Sequence, residues 1–433
     1  MVKSPKSKKS SVRHTRAIAL DRSKRPNVAP PPQEIEQLLA QILQPVTKRL
    51  HRLYQEMGLR GRVLTLPVML AFVISLIWRQ LGEGGEGVRV LRQRGLLWQP
   101  PLQVSQQAVS ERLRELPAGL FEQVLLEVLP LMEQRWLERT RPMSTQLQVA
   151  RCHFKRVVAV DGSTLDALLK KVGLLRECEQ TVLAGKMMTM LDVVSQLPVR
   201  IWYGQDSLVQ DQQWWSQIIE TLEEDSLVLF DLGFVNYERY RQLTDQHKYF
   251  VTRVKTNMAY ELLGVLEEEA GMRSFLVRVG KVEEGTDQLL RLVEVKYEGQ
   301  WYQYLTNVVD CARLTALEIA WLYRQRWRIE DAFKTIKRLL GLAYFHGSSL
   351  NAIEMQLWAS WLLYCIVIDL SDGVAQELEA PFGRISVEMV YRGLWHYNEA
   401  LAQGETQEVI QYLAQQAKVL GIIKRDRKKQ LRT

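Results

Sequence analysis

Val157-Val158-Ala159-Val160-Asp161-Gly162-Ser163-Thr164 opens on four apolar residues, three of them β-branched, and runs straight into a carboxylate. That is the signal of a buried strand with an acid at its C-terminal end. The pattern returns at Leu227-Val228-Leu229-Phe230-Asp231. Between the two, Met187–Val194 and Val199–Tyr203 flank a turn at Gln196-Leu197-Pro198, which reads as a hairpin. A helical stretch, Asp211–Glu223, leads into the second acid-terminated strand. A further helix, about Asn236–Asp245, then leads to a strand at Tyr249–Val254. Three strands, helix, strand, helix, strand is an α/β order with a mixed sheet.

Outward from this core the character changes. Residues 1–32 are rich in Ser, Lys and Arg and end in three prolines, so they read as a basic disordered arm. Residues 33–150 carry apolar positions at helical spacing, beginning with Ile35, Leu38, Leu39, Ile42, Val46 and Leu50, and read as an all-helical domain. Within 151–370, the segment of about 258–308 carries alternating strands such as Gln288–Tyr297 and Trp301–Val308, a β-rich insertion. A long helix is expected from about Ala316 to Leu340, capped by Gly341. Helices and a basic tail fill 371–433.

The 433 residues have a formal net charge of +8, but its distribution is the informative part. Residues 1–25 alone carry +8 and residues 418–433 carry +6, so the body between them is mildly acidic. Cationic tails meet polyanions, nucleic acid first, or serve as solvated tails that aid solubility. Four cysteines without CxxC spacing supply neither a disulfide framework nor a zinc site, which suggests a reducing compartment. The apolar runs Val63–Trp78 and Trp358–Ile368 fall short of the roughly 20 residues of a membrane span, so buried helices are expected. No signal peptide is apparent, and a cytoplasmic, nucleoid-associated location is the expectation. The six histidines form no ligand cluster, although His346 follows the long helix closely. Nucleotide-phosphate loops and Ser/His/Asp arrangements are absent, so ATP-driven and acyl-transfer chemistry lack support.

Acids at strand ends are either turn formers or rigidly held ligands for a hard cation. The long helix sharpens the choice. At about 100° per residue, Tyr323, Arg326, Glu330 and Lys337 fall within roughly a 60° sector. A phenol, a guanidinium, a carboxylate and an ammonium form either a solvated stripe or a site. Trp321, Leu322, Ile329, Phe333 and Ile336 leave little of the helix to spare for solvent.

Tyr323-Arg-Gln-Arg326-Trp-Arg-Ile-Glu330-Asp-Ala-Phe-Lys-Thr-Ile-Lys337 resembles the Y-x2-R-x3-E-x6-K signature of DDE transposases of the insertion-sequence-four type. Val160-Asp161-Gly162-Ser163-Thr164 resembles the segment around that family's first Asp, and Asp231-Leu232-Gly233-Phe234 the one around its second. Phe250-Val-Thr-Arg253-Val-Lys255 resembles the basic strand that follows. The four motifs fall in order over about 150–370.

The resemblance implies a ribonuclease-H-like catalytic domain in which Asp161, Asp231 and Glu330 hold two Mg²⁺ ions, with Mn²⁺ able to substitute. It implies DNA cleavage and strand transfer at the inverted repeats of a mobile element by a homodimer, on double-stranded repeat and target DNA. Tyr323, Arg326, Lys337, Arg253 and Lys255 would contact DNA. Trp301 or Tyr302 is the candidate to stack on a flipped base, unless each is an ordinary strand aromatic. In the helical domain, Val104–Leu116 looks like a recognition helix capped by Ser105, with Gln106, Gln107 and Arg112 toward DNA. An amphipathic bundle helix fits the same residues. The alternative function is a non-catalytic, sequence-specific DNA-binding protein derived from a transposase.

Overall fold

The computed structural model describes residues 33–59, 63–81, 84–164, 185–206, 209–255, 258–280, 287–340, 349–404 and 408–424. The basic arm, the tail beyond 424, Gly341 and His346 lie outside them.

The N-terminal helices are α1 (Gln33–Arg49), α2 (His51–Glu56), α3 (Leu66–Trp78), α4 (Gly84–Gln93), α5 (Gln106–Glu115), α6 (Gly119–Glu138) and α7 (Thr145–His153). Ser105 caps α5 as expected, its hydroxyl accepting from the Ala108 amide at 3.1 Å. Strands β1 (Val157–Thr164), β2 (Lys186–Asp192) and β3 (Pro198–Gly204) follow. Then come α8 (Trp215–Thr221), β4 (Leu227–Leu229), α9 (Tyr237–Asp245) and β5 (Tyr249–Arg253). The order read from the sequence is the order found.

These strands belong to one nine-stranded mixed sheet, ordered β3-β2-β1-β4-β5-β9-β8-β7-β6. Strands β6 (Tyr260–Glu269), β7 (Met272–Val279), β8 (Gln288–Tyr297) and β9 (Gln300–Thr306) form the inserted meander. The insertion is no separate lobe: β9 pairs antiparallel with β5, so the meander continues the central sheet. The parallel pairings in this sheet are β1 with β4 and β4 with β5, so the C-terminal ends of these three strands lie at one edge of the sheet.

Helix periodicity over 316–340 misled in one respect. The chain forms α10 (Ala316–Gln325), α11 (Trp327–Lys334) and a π-helical turn, Thr335–Leu339. Around Arg326 the backbone tightens to three-residue hydrogen bonds, Arg326 N to Tyr323 O and Ile329 N to Arg326 O, both at 3.1 Å. A constant 100° step therefore does not hold from Tyr323 to Lys337. The start is sharply fixed: Thr315 and Glu318 form a reciprocal capping box.

Helix α12 (Leu350–Glu377) is the centre of the helical half, followed by α13 (Val387–Ala402) and α14 (Val409–Gln415). It is longer than the apolar run in the sequence suggests, and long and apolar enough to cross a membrane. Its apolar window is wholly buried within the protein, however. Its Asp369 and Asp372 are ion-paired to Arg135, Arg139 and Arg141, which is how carboxylates are tolerated in a packed interior. One continuous core joins the N-terminal helices, α12 to α14 and one face of the sheet. The compositional break near 150 is therefore not a break in packing. On the opposite face a second core gathers Trp215, Phe230, Phe234, Tyr240 and Phe250 under α8 and α9.

Candidate active site at the strand ends

Alternation along β1 sends Val157 and Ala159 to the helical core and Val158 and Val160 to the other. Asp161 therefore projects on the helical face, toward α11. The same parity holds for Leu227 and Leu229, and hence for Asp231. Pairing of β1 with β4 runs Val157 to Leu227, Val158 to Val228 and Ala159 to Leu229. Continued two residues past the end of β4, that register would set Asp231 level with Asp161, and the Asp231 charge is felt at Asp161. Neighbouring strands lie about 4.8 Å apart, so two carboxylates meet at one end of the sheet. Extending the row through β5 and β9 adds Arg253, whose partner is Tyr304.

Each aspartate is anchored by its own turn. Asp161 Oδ1 accepts from the Gly162 amide and Asp231 Oδ1 from the Gly233 amide, both at 2.8 Å. The remaining oxygens are left to meet a cation. Arg326 supplies one: its Nη1 is 3.3 Å from Asp161 Oδ2, and its Nη2 is 2.7 Å from Glu330 Oε1. Burial, above all, pushes the Asp161 carboxyl up to about 7; Arg326 pulls it down and the Asp231 charge adds to the rise. Burial also works against the Arg326 charge, but the Asp161 carboxylate, Tyr323 and Glu330 outweigh it and hold its pKa above the ordinary value.

The donor chemistry, two carboxylates at strand ends and one on a helix, fits a hard divalent cation. The arrangement is not yet a closed ligand set. Among the described residues, no three acids, histidines or cysteines stand close enough together to hold one ion. Asp161 and Glu330 are bridged by the Arg326 guanidinium, and the Asp231 charge acts on Asp161.

The other residues of the helix motif are also committed. Tyr323 is buried, its ring 5.2 Å from that of Tyr304, and burial raises its phenol pKa. Lys337 Nζ donates to Ser163 Oγ at 2.5 Å and to Thr164 O at 2.9 Å, tying the π turn to the end of β1. Arg253 is exposed and Lys255 half-buried. Trp301 and Tyr302 cannot share one task, since adjacent strand residues face opposite ways. Trp301 is 40% exposed, with Arg273 and Lys296 over its ring at 4.8 and 5.9 Å. Tyr302 lies on the carboxylate face, in a 580 Å³ groove with Tyr297, Tyr304, Trp321 and Arg324.

On α5, Gln106 and Gln107 are exposed, and Gln107 donates to Glu111 at 2.9 Å. Arg112 is engaged within the protein, its guanidinium donating to Leu64 O at 2.9 Å and to the Tyr54 hydroxyl. A pair that the sequence did not single out, Asp211 and Lys186, lies beside Gly162, with Nζ 2.6 Å from Oδ1.

Residues 153–366 match the family model described as a transposase DDE domain. A Sinorhizobium fredii protein named as transposase y4zB is 31% identical over 191 residues, covering 42% of this chain and 52% of that protein. Transposase InsG for insertion sequence element IS4, from Escherichia coli, is 23% identical over 194 residues, 42% of this chain and 43% of its own. A Synechocystis transposase for element IS4SA is 26% identical over 172 residues, 39% and 47%. Residues 153–366 are thus similar to a transposase DDE domain, and the matching relatives include transposases of insertion-sequence-four elements, in line with the four motifs. The chain spans about half the length of the curated relatives it matches. The solved piggyBac transposase synaptic complex with hairpin DNA gives a TM-score of 0.40 at 10% identity, over 91% of this chain and 86% of that one, too slight a likeness to argue from.

Proposed function

We propose that this protein is a metal-dependent transposase of ribonuclease-H-like fold that binds the inverted repeats of its insertion sequence and cuts and rejoins DNA there. The observation that carries the reading is the pair Asp161 and Asp231 at the ends of adjacent parallel strands, the charge of the second acting on the first, with Glu330 bridged to Asp161 by one guanidinium.

Asp161, Asp231 and Glu330 would hold two Mg²⁺ ions, or Mn²⁺ in their place. When bound, such ions activate a nucleophilic oxygen and stabilise the leaving one. Water attacks the scissile phosphorus in the first step. A new P–O bond forms, a bridging P–O bond breaks, and a 3′-hydroxyl is freed beside a 5′-phosphate. In the second step that hydroxyl attacks target DNA, joining element to target and releasing a target 3′-hydroxyl. Both depend on positioning and charge neutralisation. Arg253 and Lys255 are available to hold phosphates, and Arg326 and Lys337 would do so by exchanging their present carboxylate, hydroxyl and carbonyl partners for phosphate oxygens. Tyr323 would reach DNA only by leaving Tyr304. For a flipped base, Tyr302 has the carboxylate face and Trp301 the open one. Gln106 and Gln107, both exposed on α5, would meet a groove, and two copies of the chain would pair two DNA ends.

The test uses a duplex bearing the element end. With Mg²⁺ or Mn²⁺ the protein should nick it at the element boundary and join it to target, and Asp231→Asn should abolish both while still shifting the duplex in a gel. Cleavage by that variant at the wild-type rate would sink the assignment. A second reading, a DNA-binding relative without catalysis, is favoured by Arg326 lying on two of the three carboxylates. It requires that the wild-type chain neither nick DNA nor respond to metal.

A further inference from the structure

Arg328 stands between Arg326 and Glu330 in sequence but lines a separate cavity of 390 Å³. The cavity lies where the end of α6, the start of α7, the joint of α10 with α11 and the 3-10 turn Phe382–Arg384 come together. Arg328 Nε donates to Gln325 Oε1 at 2.9 Å, across the tightened backbone at Arg326. Among the described residues, its other two nitrogens have no hydrogen-bond partner and no carboxylate lies within ion-pair distance of them. Burial pushes its pKa down, and the Asp331 charge and Tyr364 offset only part of that. A methyl group on Gly383 would come within 2.9 Å of Arg328 Nη2, so the bare backbone there makes room for the guanidinium end.

The rest of the lining asks for the same kind of partner. Arg141, its side chain 7% exposed, pairs with Asp372 through Nε and donates from Nη1 to Trp136 O and Arg139 O. Its Nη2 has no partner, and neither does Trp136 Nε1, in a residue 8% exposed. Ser144 is the N-cap of the nine-residue α7, yet its hydroxyl does not cap the helix and is also unpartnered. The first-turn amides of that helix add further donors and the positive end of its dipole. No carboxylate lines the cavity among the described residues. A buried surplus of donors, one of them a guanidinium, is satisfied by an oxyanion. Trp321, Phe382 and Leu147 supply apolar wall beside those donors, and the volume is in the range of small-molecule sites. We propose that this cavity is a nucleotide site, in which Arg328 takes the phosphate and Trp321 lies against the base. The nucleotide comes either free or as an unpaired unit of a DNA strand.

Full-length protein is titrated in a calorimeter at about 0.15 M salt, which shortens the reach of the basic arm's charge. The probes are dAMP, deoxyadenosine, inorganic phosphate and a short oligodeoxyadenylate without a terminal phosphate. dAMP should bind, with deoxyadenosine about tenfold weaker or more for want of charge-assisted bonds. Arg328→Gln should weaken dAMP about tenfold or more, and Trp321→Ala about fivefold or more through lost stacking. Circular dichroism melts establish folding. Binding of the oligonucleotide, beside dAMP or in its place and lost in the same two variants, supports the site and makes a DNA strand the source; dAMP alone makes it the free nucleotide. Uptake of neither probe overturns the proposal, and so does equal uptake by Arg328→Gln. Inorganic phosphate held as tightly as dAMP also overturns it, since the cavity would then read a bare oxyanion. Should Arg328→Gln not fold, Trp321→Ala decides: weaker dAMP binding supports the proposal and unchanged binding overturns it. None of these readouts involves metal or cleavage, so the metal-dependent reading stands or falls separately.

Discussion

The Arg326 guanidinium lies 3.3 Å from the Asp161 carboxylate, its side chain only 9% exposed, at the end of the strand that opens the sheet. An arginine so placed neutralises what a divalent ion would otherwise neutralise. Arg326→Gln should therefore destabilise the metal-free protein. Breaking a buried pair costs about 3–5 kcal/mol; about 1–3 is expected here, because Asp161 can take a proton and Glu330 is 38% open to solvent. Mn²⁺ should raise the melting temperature of the variant more than that of the wild type. Equal shifts in the two proteins would show that Arg326 and the ion do not share a place.

Burial holds the Asp161 carboxyl at about 7, well above the roughly 3.9 of an unfolded chain. Between those two values the folded state keeps a proton that the unfolded state has lost. The stability contributed by this group is therefore fully present below about pH 4 and is lost as pH rises through 7. Asp161→Asn removes that pH dependence. Its metal-free melting temperature, relative to wild type, should climb between pH 5 and pH 8. A difference that is flat across that range would mean that Asp161 is ionised throughout.

The strands and their acids were legible because a buried strand writes itself as a run of apolar residues. Val157–Val160 and Leu227–Phe230 each stop at the residue that turns toward the site. The pairing of Arg326 with Glu330 was legible from their i, i+4 spacing. What the sequence hid was of another kind. Tightening at Arg326 and the π turn at Thr335 depend on tertiary packing, and no residue there signals them. Arg112 sits on the polar side of α5, yet Tyr54 and Leu64 claim it from other elements. Asp211 belongs to no periodic run, and only the strand pairing that brings Gly162 and Lys186 together gives it meaning.

Gly162→Ala tests the crowding beside the first aspartate directly. The added methyl would meet Asp211 Oδ1 and Lys186 Cε, which are pinned to each other and to Val209 O. Overpacking of this kind costs about 1–3 kcal/mol, read as a lower denaturation midpoint. Shortening the neighbour with Lys186→Ala should give back part of the loss in the same chain. A Gly162→Ala protein as stable as wild type would show that the pocket beside the first aspartate yields freely.

A basic arm that meets DNA should do so through its charge. Residues 1–25 carry a net +8, and each phosphate that a cation neutralises releases counterions. The log–log slope of affinity against salt therefore shrinks by about 0.9 for every phosphate no longer neutralised. Deleting the arm should flatten that slope for DNA of any sequence. An unchanged slope would mean that the arm does not touch DNA.

Lys337 separates a structural tie from a DNA contact. Its ammonium joins the π turn to β1 through Ser163 Oγ at 2.5 Å and Thr164 O at 2.9 Å. If those bonds were its whole purpose, Lys337→Ala would lower stability by about 1 kcal/mol and leave DNA binding alone. If the ammonium also meets a phosphate, the salt slope for an element-end duplex should drop by about 0.9 while the loss of stability stays small. Lys337→Arg should keep the slope, since the charge is retained, but recover less of the cleavage rate, because a planar guanidinium cannot reproduce the two short bonds of an ammonium. A Lys337→Ala protein with the wild-type slope and a lowered melting temperature would confine this residue to holding the helix against the strand.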